Sequence, residues 1–307
     1  MIGKWAALLM MAATQIQADW AEETLYPFWQ QRLHIDTKII EEKTNQQQLL
    51  IFENSFYGRV LVLDGAIQTT QADEFVYHEM MTHIPLLAHE NPKRVLIIGG
   101  GDGGILREVL RHSTIEKVTL VEIDGSVVER SKKFLPSLSK GAFEDPRLEL
   151  LIEDGVVYVE KTDEKFDVII CDSTDPVGPG AVLFTEKFYG FCKRVLNEKG
   201  ILVNQNGVPF LQKEEFVNTV KNRSTHFKDV GFYIAAIPTY VGGFMALGWA
   251  TDCEEYRTLS EETLRNRLSR VTGPMQYYNP GIHKASFCLP QFMLNVLPAK
   301  NLQPANP

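Results

Sequence analysis

The chain has 307 residues, of which 44% are hydrophobic and 23% charged, as in an ordinary folded globular protein. This length can bury a large core in one large domain or two modest ones. The formal net charge of −8 argues against nucleic-acid binding and favours cationic partners. The cysteines form neither a Cys-x-x-Cys pair nor a zinc spacing, which predicts buried thiols in a reducing compartment, at Cys171, Cys192, Cys253 and Cys288.

Residues 1–18 form a prefix with two interpretations. Lys4, an apolar run from Trp5 to Ala13 and small residues near Ala18 resemble a short signal peptide. The apolar run is too short to span a membrane. The residues alone are equally compatible with a functional signal and with a simple extension.

Residues 19–72 are predicted to form a small antiparallel β domain. Short runs of strand-forming residues alternate here with turn signals such as Asp64-Gly65. The predicted strands are His34 to Glu42, Leu49 to Glu53, Arg59 to Leu63 and Ile67 to Thr70.

A helix is predicted from Asp73 to His89, and Pro92 closes the connection after it. One helical face carries the apolar residues Val76, Met80, Ile84 and Leu87.

This helix contains a sequence close to a zinc motif. His78-Glu79-Met80-Met81-Thr82-His83 resembles His-Glu-x-x-His with one extra residue. A separation of five residues turns the two rings about 140° apart on a helix, so they are not expected to bind one ion. His78 is expected to line a cleft, and His83 to be a core or surface ring.

Residues 73–307 are predicted to form a Rossmann-like catalytic domain, since apolar strands and helices alternate after Lys93. The fold class is therefore α/β, a doubly wound and mainly parallel sheet, with an antiparallel ending. Predicted strands are Val95–Ile98, Val118–Ile123, Leu148–Ile152, Phe166–Cys171, Gly200–Asn204, Gly231–Ile237 and Phe244–Trp249, with helices starting near Gly103, Ser126, Gly155, Thr185 and Lys213.

The turn after the first of these strands predicts a nucleoside site. Gly99, Gly101 and Gly104 fit the G-x-G-x-x-G spacing, in which missing Cβ atoms let the backbone approach a ligand. The next strand ends in Glu122 and Asp124, about 20 residues after the turn, where a ribose-binding carboxylate belongs.

Asp102, at the centre of this turn, narrows the class of ligand. A diphosphate usually binds the free amides at such a helix start, and a carboxylate would repel it. Asp102 therefore favours a cationic sulfonium nucleoside over NAD or FAD. The alternative is a structural N-cap for a helix from Gly103 to Arg111.

Acidic residues follow four successive strands. Because ligands bind outside the carboxyl ends of parallel strands, these acids predict a cleft that holds polycations. Crowded carboxylates raise one another's pKa, which suits general-base chemistry. The acids are Asp102, Glu122, Asp124, Glu153, Asp154, Asp172 and Asp175.

The last two acids lie in a loop rich in proline and glycine, which predicts a functional loop. Asp172, at its rigid end, is the candidate for precise chemistry, and Asp175 for charge recognition. Pro176 to Gly180 is a candidate lid.

Over roughly Trp20 to Pro290 the chain resembles bacterial spermidine synthases, which are polyamine aminopropyltransferases. The resemblance depends on specific motifs: Gly65-Ala-Ile-Gln-Thr-Thr, Asp73-Glu-Phe-Val-Tyr-His-Glu-Met-Met, Gly99-Gly-Gly-Asp-Gly-Gly, Val121-Glu-Ile-Asp, Asp172-Ser-Thr-Asp-Pro-Val-Gly-Pro and Ala236-Ile-Pro-Thr-Tyr. It implies a class I methyltransferase-like domain after the β domain, and a homodimer or homotetramer formed through the N-terminal part.

The resemblance implies transfer of an aminopropyl group from decarboxylated S-adenosylmethionine to putrescine, giving spermidine and 5′-methylthioadenosine, with no prosthetic group and no metal. Asp172 would be the proton acceptor and Tyr77 would flank the amine. Asp102 would hold the donor's aminopropyl nitrogen. Nucleoside binding is implied for Gln47, Glu122, Asp154, Gly155 and Pro179, and polyamine binding for His78, Asp172, Ser173, Thr174, Asp175, Gln205 and Tyr240.

Three alternatives stay open at this point. A putrescine N-methyltransferase would share the scaffold and use S-adenosylmethionine. An aminopropyltransferase of the same class could use cadaverine, agmatine or spermidine as acceptor. A polyamine-binding module would bind without turnover. Because the family works in the cytoplasm, the prefix is interpreted as an extension of a cytoplasmic protein.

Overall fold

A computed structural model describes residues 19–173 and 178–297. The N-terminal part is built from antiparallel strands. Two short strands pair with each other, and four further strands form a meander in chain order. The strands are β1 (Trp20–Glu22), β2 (Arg32–His34), β3 (Thr37–Lys43), β4 (Gln48–Asn54), β5 (Gly58–Leu63) and β6 (Ala66–Thr70).

The single strand predicted from His34 to Glu42 is wrong. The chain turns at Asp36, whose carboxylate accepts hydrogen bonds from the Ser55 amide and the His34 ring. As a result, His34 pairs in one sheet and Thr37 starts another. The partner strand β1 has only three residues, too few for an alternating pattern to predict.

Helix α1 (Glu74–Ala88) follows β6 and is buried on almost every side. The sequence predicted a single apolar face. The rest of the helix surface is also covered, since it packs against the sheet, against α2 and against the C-terminal segment. The carboxylate of Glu79, for example, accepts the amides of Gln276, Tyr277 and Tyr278 at 2.7–2.9 Å. The sequence did not predict this buried anchor.

The remainder forms a seven-stranded sheet with the strand order β12-β13-β11-β10-β7-β8-β9. Strands β7 to β11 are parallel, whereas β12 and β13 run antiparallel, which confirms the predicted fold class. The strands are β7 (Arg94–Gly99), β8 (Lys117–Glu122), β9 (Leu148–Ile152), β10 (Phe166–Asp172), β11 (Leu196–Gln205), β12 (Asp229–Ala235) and β13 (Met245–Thr251).

Helices cover both faces of this sheet, and each face buries an apolar core. The further helices in the described residues are α2 (Gly104–Leu110), α3 (Gly125–Phe134), α4 (Pro136–Ser139), α5 (Gly155–Lys161), α6 (Glu186–Val195), α7 (Lys213–Arg223), α8 (Glu261–Leu268), α9 (Pro280–Ser286) and α10 (Gln291–Leu294). Within residues 19–173 and 178–297, no helix has the length and apolar character needed to cross a bilayer.

The prediction that all cysteines are buried is only half right. Cys171 and Cys192 lie in the core beneath the sheet, and all the cysteines are free thiols. Cys253 is partly exposed and Cys288 is exposed, because both lie in the C-terminal segment outside the sheet.

Candidate active site

The site lies at the carboxyl edge of the parallel strands. The register of the central pair places Asp172, the last residue of β10, beside Gly99, the last residue of β7. Glu122 ends the next strand, β8. The glycine turn therefore lies between two acids, as the positions of acids in the sequence predicted.

The glycines of this turn make room for the site's own atoms. A Cβ on Gly99 would lie 2.0 Å from the Asp172 carbonyl oxygen, and one on Gly101 would lie 2.9 Å from Glu122 Oε2. A Cβ on Gly104 would lie 2.1 Å from the His78 ring. The sequence predicted that the missing Cβ atoms admit a ligand. In the structure their first effect is to let Asp172, Glu122 and His78 pack against the turn.

Asp102 is 9% exposed, and both of its carboxylate oxygens have neighbours in the protein. Oδ1 accepts the Gly104 amide at 2.7 Å, and Oδ2 lies 3.3 Å from His78 Nε2. The N-cap of α2 is Gly103, in the left-handed conformation, so the helix begins one residue later than predicted. Asp102 thus supports the start of α2, and the capping alternative describes part of its role.

His78 is 2% exposed and lies between two carboxylates. Its Nδ1 is 2.5 Å from Glu74 Oε2, and its Nε2 faces Asp102. Burial alone would lower the pKa of His78, but Asp102 and Glu74 raise it to about 10. Its predicted place at the cleft is therefore behind Asp102, with the ring nitrogens already engaged.

His83 belongs to a separate buried cluster. Its ring nitrogens lie 2.9 Å from Glu108 Oε2 and 2.9 Å from His112 Nε2, and the residue is fully buried. The two histidines of the zinc-like motif therefore face different partners, as their helical spacing predicted. In the part of the chain that the structure describes, no group of three or more His, Cys, Asp or Glu residues is arranged to hold a metal ion.

Asp172 is half-buried and accepts a hydrogen bond from Tyr77 Oη at 2.5 Å. Partial burial and the charge of Asp102 raise the pKa of Asp172 to about 6, although Tyr77 and His78 act in the opposite direction. A carboxyl group with this pKa can take up a proton near neutral pH.

Tyr240 packs edge-on against Tyr77, with ring centroids 5.9 Å apart. Its hydroxyl donates to the Gln68 carbonyl of β6. Asp73 anchors the adjoining loop, since its carboxylate accepts the Thr239 amide at 2.9 Å. The two tyrosines form an aromatic wall beside Asp172.

Glu122 is 7% exposed and accepts the amides of Gly101 and Asp124 at 3.1 and 2.9 Å. Burial raises the pKa of Glu122 to about 7, with contributions from the charges of Asp124 and Asp172. Gln47 reaches this region from the β3–β4 turn, because its amide donates to Asp124 Oδ2 at 3.1 Å. The N-terminal part thus contributes to the rim of the cleft.

The other predicted site residues lie at the same edge wherever they are described. Asp154 caps α5 by accepting the Val156 amide, and Gly155 starts that helix against Ile98. Ser173 directly follows Asp172, and Gln205 ends β11 with its side chain accepting the Gly207 amide.

Some predictions concern residues that the structure describes partly or not at all. Pro179 lies in the 3₁₀ segment Gly178–Phe184. Thr174, Asp175, the start of the predicted lid and the prefix 1–18 lie outside the described residues.

The sequence did not predict several residues that support the site. Glu74 and Arg107 pair behind His78, and Thr44 joins Gln47 on Asp124. The spacing of Glu74 and His78, four residues apart on a helix, was a signal that could have revealed their contact. Arg107 could not be found in this way, since it belongs to another helix.

Fold and site together define an α/β enzyme class with a nucleoside-type turn and an acidic cleft. Sequence profiles of the spermine/spermidine synthase domain and of the spermidine synthase tetramerisation domain match residues 74–259 and 20–71. The chain is 55% identical over 276 residues to polyamine aminopropyltransferase 1 of Pseudomonas aeruginosa, covering 90% of this chain and 96% of that protein. The polyamine aminopropyltransferase of Erwinia tasmaniensis is 55% identical over 275 residues, with coverage of 90% and 96%.

Solved structures agree. A spermidine synthase in complex with the transition-state analogue AdoDATO superimposes with a TM-score of 0.86 at 39% identity, covering 91% of this chain and 95% of that one. Spermidine synthase from Thermotoga maritima gives a TM-score of 0.85 at 38% identity, with coverage of 91% and 94%. The chain belongs to the spermine/spermidine synthase family of polyamine aminopropyltransferases, which confirms the resemblance found in its motifs.

Proposed function

We propose that this protein transfers the aminopropyl group of decarboxylated S-adenosylmethionine to putrescine, giving spermidine and 5′-methylthioadenosine. The observation that supports this most directly is the Tyr77–Asp172 pair beside Asp102 at the carboxyl edge of the sheet. The similarity of the chain to the spermidine synthase bound to AdoDATO supports decarboxylated S-adenosylmethionine as the donor.

In the proposed reaction the amine nitrogen attacks the methylene carbon bonded to the sulfonium sulfur. The C–N bond forms as the C–S bond breaks, and the sulfur leaves as neutral methylthioadenosine. A primary amine with a pKa near 10.4 is neutral in only about one molecule in 2,500 at pH 7, a cost of roughly 4.6 kcal/mol. Asp172 is placed to take the amine proton as the C–N bond forms, and Tyr77 holds the carboxylate in place.

Donor binding is assigned to Glu122 and Asp102, and selection between donors to Asp102. Glu122, with Gln47, Asp154, Gly155 and Pro179, would bind the nucleoside. Asp102 would pair with the primary ammonium of the aminopropyl group. S-Adenosylmethionine carries a further carboxylate near that ammonium, and its repulsion from Asp102 would disfavour it.

The acceptor would lie along the acids and aromatic rings beside Asp172. The carbon chain and the distal ammonium of putrescine would be held by Tyr240, Ser173, Thr174, Asp175 and Gln205, with His78 acting through Asp102.

We also propose a cytoplasmic homodimer or homotetramer. The free cysteines and the match to a tetramerisation domain support that proposal.

Product analysis tests the proposal. The purified protein is incubated with putrescine and with either S-adenosylmethionine or its decarboxylated form. Spermidine and methylthioadenosine formed only from the decarboxylated donor are the expected products. N-Methylputrescine from intact S-adenosylmethionine would instead make the protein a methyltransferase. Parallel assays with cadaverine, agmatine and spermidine would show whether putrescine is the preferred acceptor.

A further inference from the structure

A chain of alternating charges extends from the cleft into the protein. Asp102 faces His78, His78 contacts Glu74, and Glu74 pairs with Arg107 through both carboxylate oxygens, at 2.9 and 2.8 Å. Each of these four residues is at most 9% exposed. Taken as ionised groups, two negative and two positive charges balance.

The contacts of His78 indicate a ring that is protonated on both nitrogens. Nδ1 is hydrogen-bonded to Glu74 Oε2, and Nε2 lies 3.3 Å from Asp102 Oδ2 in an ion-pair contact. Each nitrogen faces a carboxylate oxygen, which only accepts hydrogen bonds, and a neutral imidazole has a single N–H. A buried imidazolium is stable only when it is paired, and here it is paired on both sides. The other titratable groups that face His78 are Tyr77, whose ring contacts it edge-on, and Asp172, whose charge interacts with it.

Arg107 keeps Glu74 ionised and in place. Besides its two bonds to Glu74, it donates to the Leu138 carbonyl at 2.5 Å and to Glu108 Oε1 at 2.7 Å. Burial alone would raise the pKa of Glu74, but His78 and Arg107 lower it to about 2. Glu74 therefore presents a fixed negative charge to the ring at any pH near neutral.

We propose that Glu74 is a positioning residue, which holds His78 doubly protonated against Asp102 and so fixes the orientation and charge that Asp102 presents to the primary ammonium of the donor. This inference rests on the proposed function. Without the carboxylate of Glu74, the ring would lose its second proton more readily. A neutral ring would present to Asp102 either an uncharged N–H or a lone pair, and Asp102 would lose its cationic partner.

The protonation of His78 can be measured without any substrate. ¹⁵N spectra of histidine-labelled protein, assigned with His78→Gln, report whether both ring nitrogens carry protons. We expect an imidazolium in the native protein from about pH 6 to about pH 8, where an ordinary imidazole loses its proton. In Glu74→Gln the same ring should titrate within that range. A neutral His78 in the native protein, or an unchanged titration in the variant, would overturn the proposal.

Kinetics of Glu74→Gln distinguish a specific effect on the donor's ammonium from a general disruption of the site. Glu74→Gln should raise KM for the decarboxylated donor by on the order of tenfold to a hundredfold, as when an orienting partner of a binding group is lost. Affinity for methylthioadenosine, which lacks the ammonium, should stay unchanged. Glu116→Gln, which removes a surface carboxylate paired with Lys93, is the control and should match the native enzyme. Equal losses for donor and product would contradict the proposal.

The two proposals fail in distinguishable ways. If His78 is doubly protonated but the protein makes no spermidine, the proposal for Glu74 and His78 would stand and the proposed reaction would fail. If Glu74→Gln does not fold, the native spectrum still decides the protonation state, and Asp102→Asn, which removes the other carboxylate, should shift the ring titration towards neutral pH.

Discussion

Tyr77 Oη donates a 2.5 Å hydrogen bond to Asp172 Oδ1, joining the helix that crosses the sheet to the end of its central strand. This bond stabilises the ionised carboxylate and partly opposes the rise in its pKa. It also fixes one oxygen, so that the other can meet an amine.

Tyr77→Phe should therefore raise the pKa of Asp172 above its value of about 6. The acidic limb of the pH–rate profile should move to higher pH, and turnover should fall by roughly tenfold to a hundredfold, the loss of one hydrogen bond to a charged group. Steady-state rates across the pH range measure both effects. An unmoved limb would show that this bond does not tune Asp172.

Asp102→Asn should impair use of the donor more than binding of the nucleoside product. The amide keeps the shape of the side chain but loses the charge that pairs with the ammonium. We expect kcat/KM for decarboxylated S-adenosylmethionine to fall by at least about tenfold, which corresponds to 1.4 kcal/mol. Methylthioadenosine affinity, measured by calorimetry, should change little. Discrimination against intact S-adenosylmethionine should weaken, and unchanged discrimination would exclude Asp102 as its source.

Asp172→Asn should make the ligand-free protein more stable at pH 8. The pKa of Asp172 is higher in the folded protein, about 6, than its ordinary value of 3.8. The folded state therefore binds more protons between these values, and stability falls as pH rises through this window. Since Asp172 is partly exposed, the gain should be about 1 kcal/mol, or roughly 2–4 °C in Tm. The difference in stability between Asp172→Asn and the native protein should shrink at pH 4. A gain in stability that is independent of pH would contradict this account.

Gly104→Ala should displace the His78 ring, because its Cβ would lie 2.1 Å from Cε1. We expect a loss of 1–3 kcal/mol, typical of overpacking, together with a weakened donor site. Gly125→Ala is the matched control, since Gly125 also begins a helix and the atoms nearest to its Cβ would be those of Ile152, at 3.3 Å or more. Denaturant unfolding compares the two variants. Similar losses of unfolding free energy in both variants would mean that the cost comes from placing alanine at a helix start and not from a clash with the His78 ring.

The sequence predicted most of the sheet because parallel strands are long apolar runs. Strand β9 was predicted with its observed ends, and β8 differs by one residue at each end. It also predicted that Asp102, Glu122 and Asp172 gather at one edge, since parallel strands carry their carboxyl ends together.

What the sequence could not predict depends on contacts between distant segments. The pairing of Glu74 with Arg107 joins two helices, and Gln47 meets Asp124 across 77 positions of the chain. The contact between Gly104 and the His78 ring was missed for the same reason, because that side chain comes from another helix. Periodicity and motif spacing contain no information about such pairs.

The pH dependence of kcat/KM for putrescine, compared between the native enzyme and Asp172→Asn, tests the central claim most directly. If Asp172 takes the proton inside the complex, the reactive pair is an ionised Asp172 with an ammonium. The native profile should then be flat between about pH 6 and the amine pKa near 10.4. In Asp172→Asn the rate should fall by about 10²–10⁴. The kcat/KM of this variant should rise tenfold per pH unit across that range, since only neutral amine can react. A native profile that rises in the same way would mean that the amine loses its proton to solvent first, and Asp172 would not be the base.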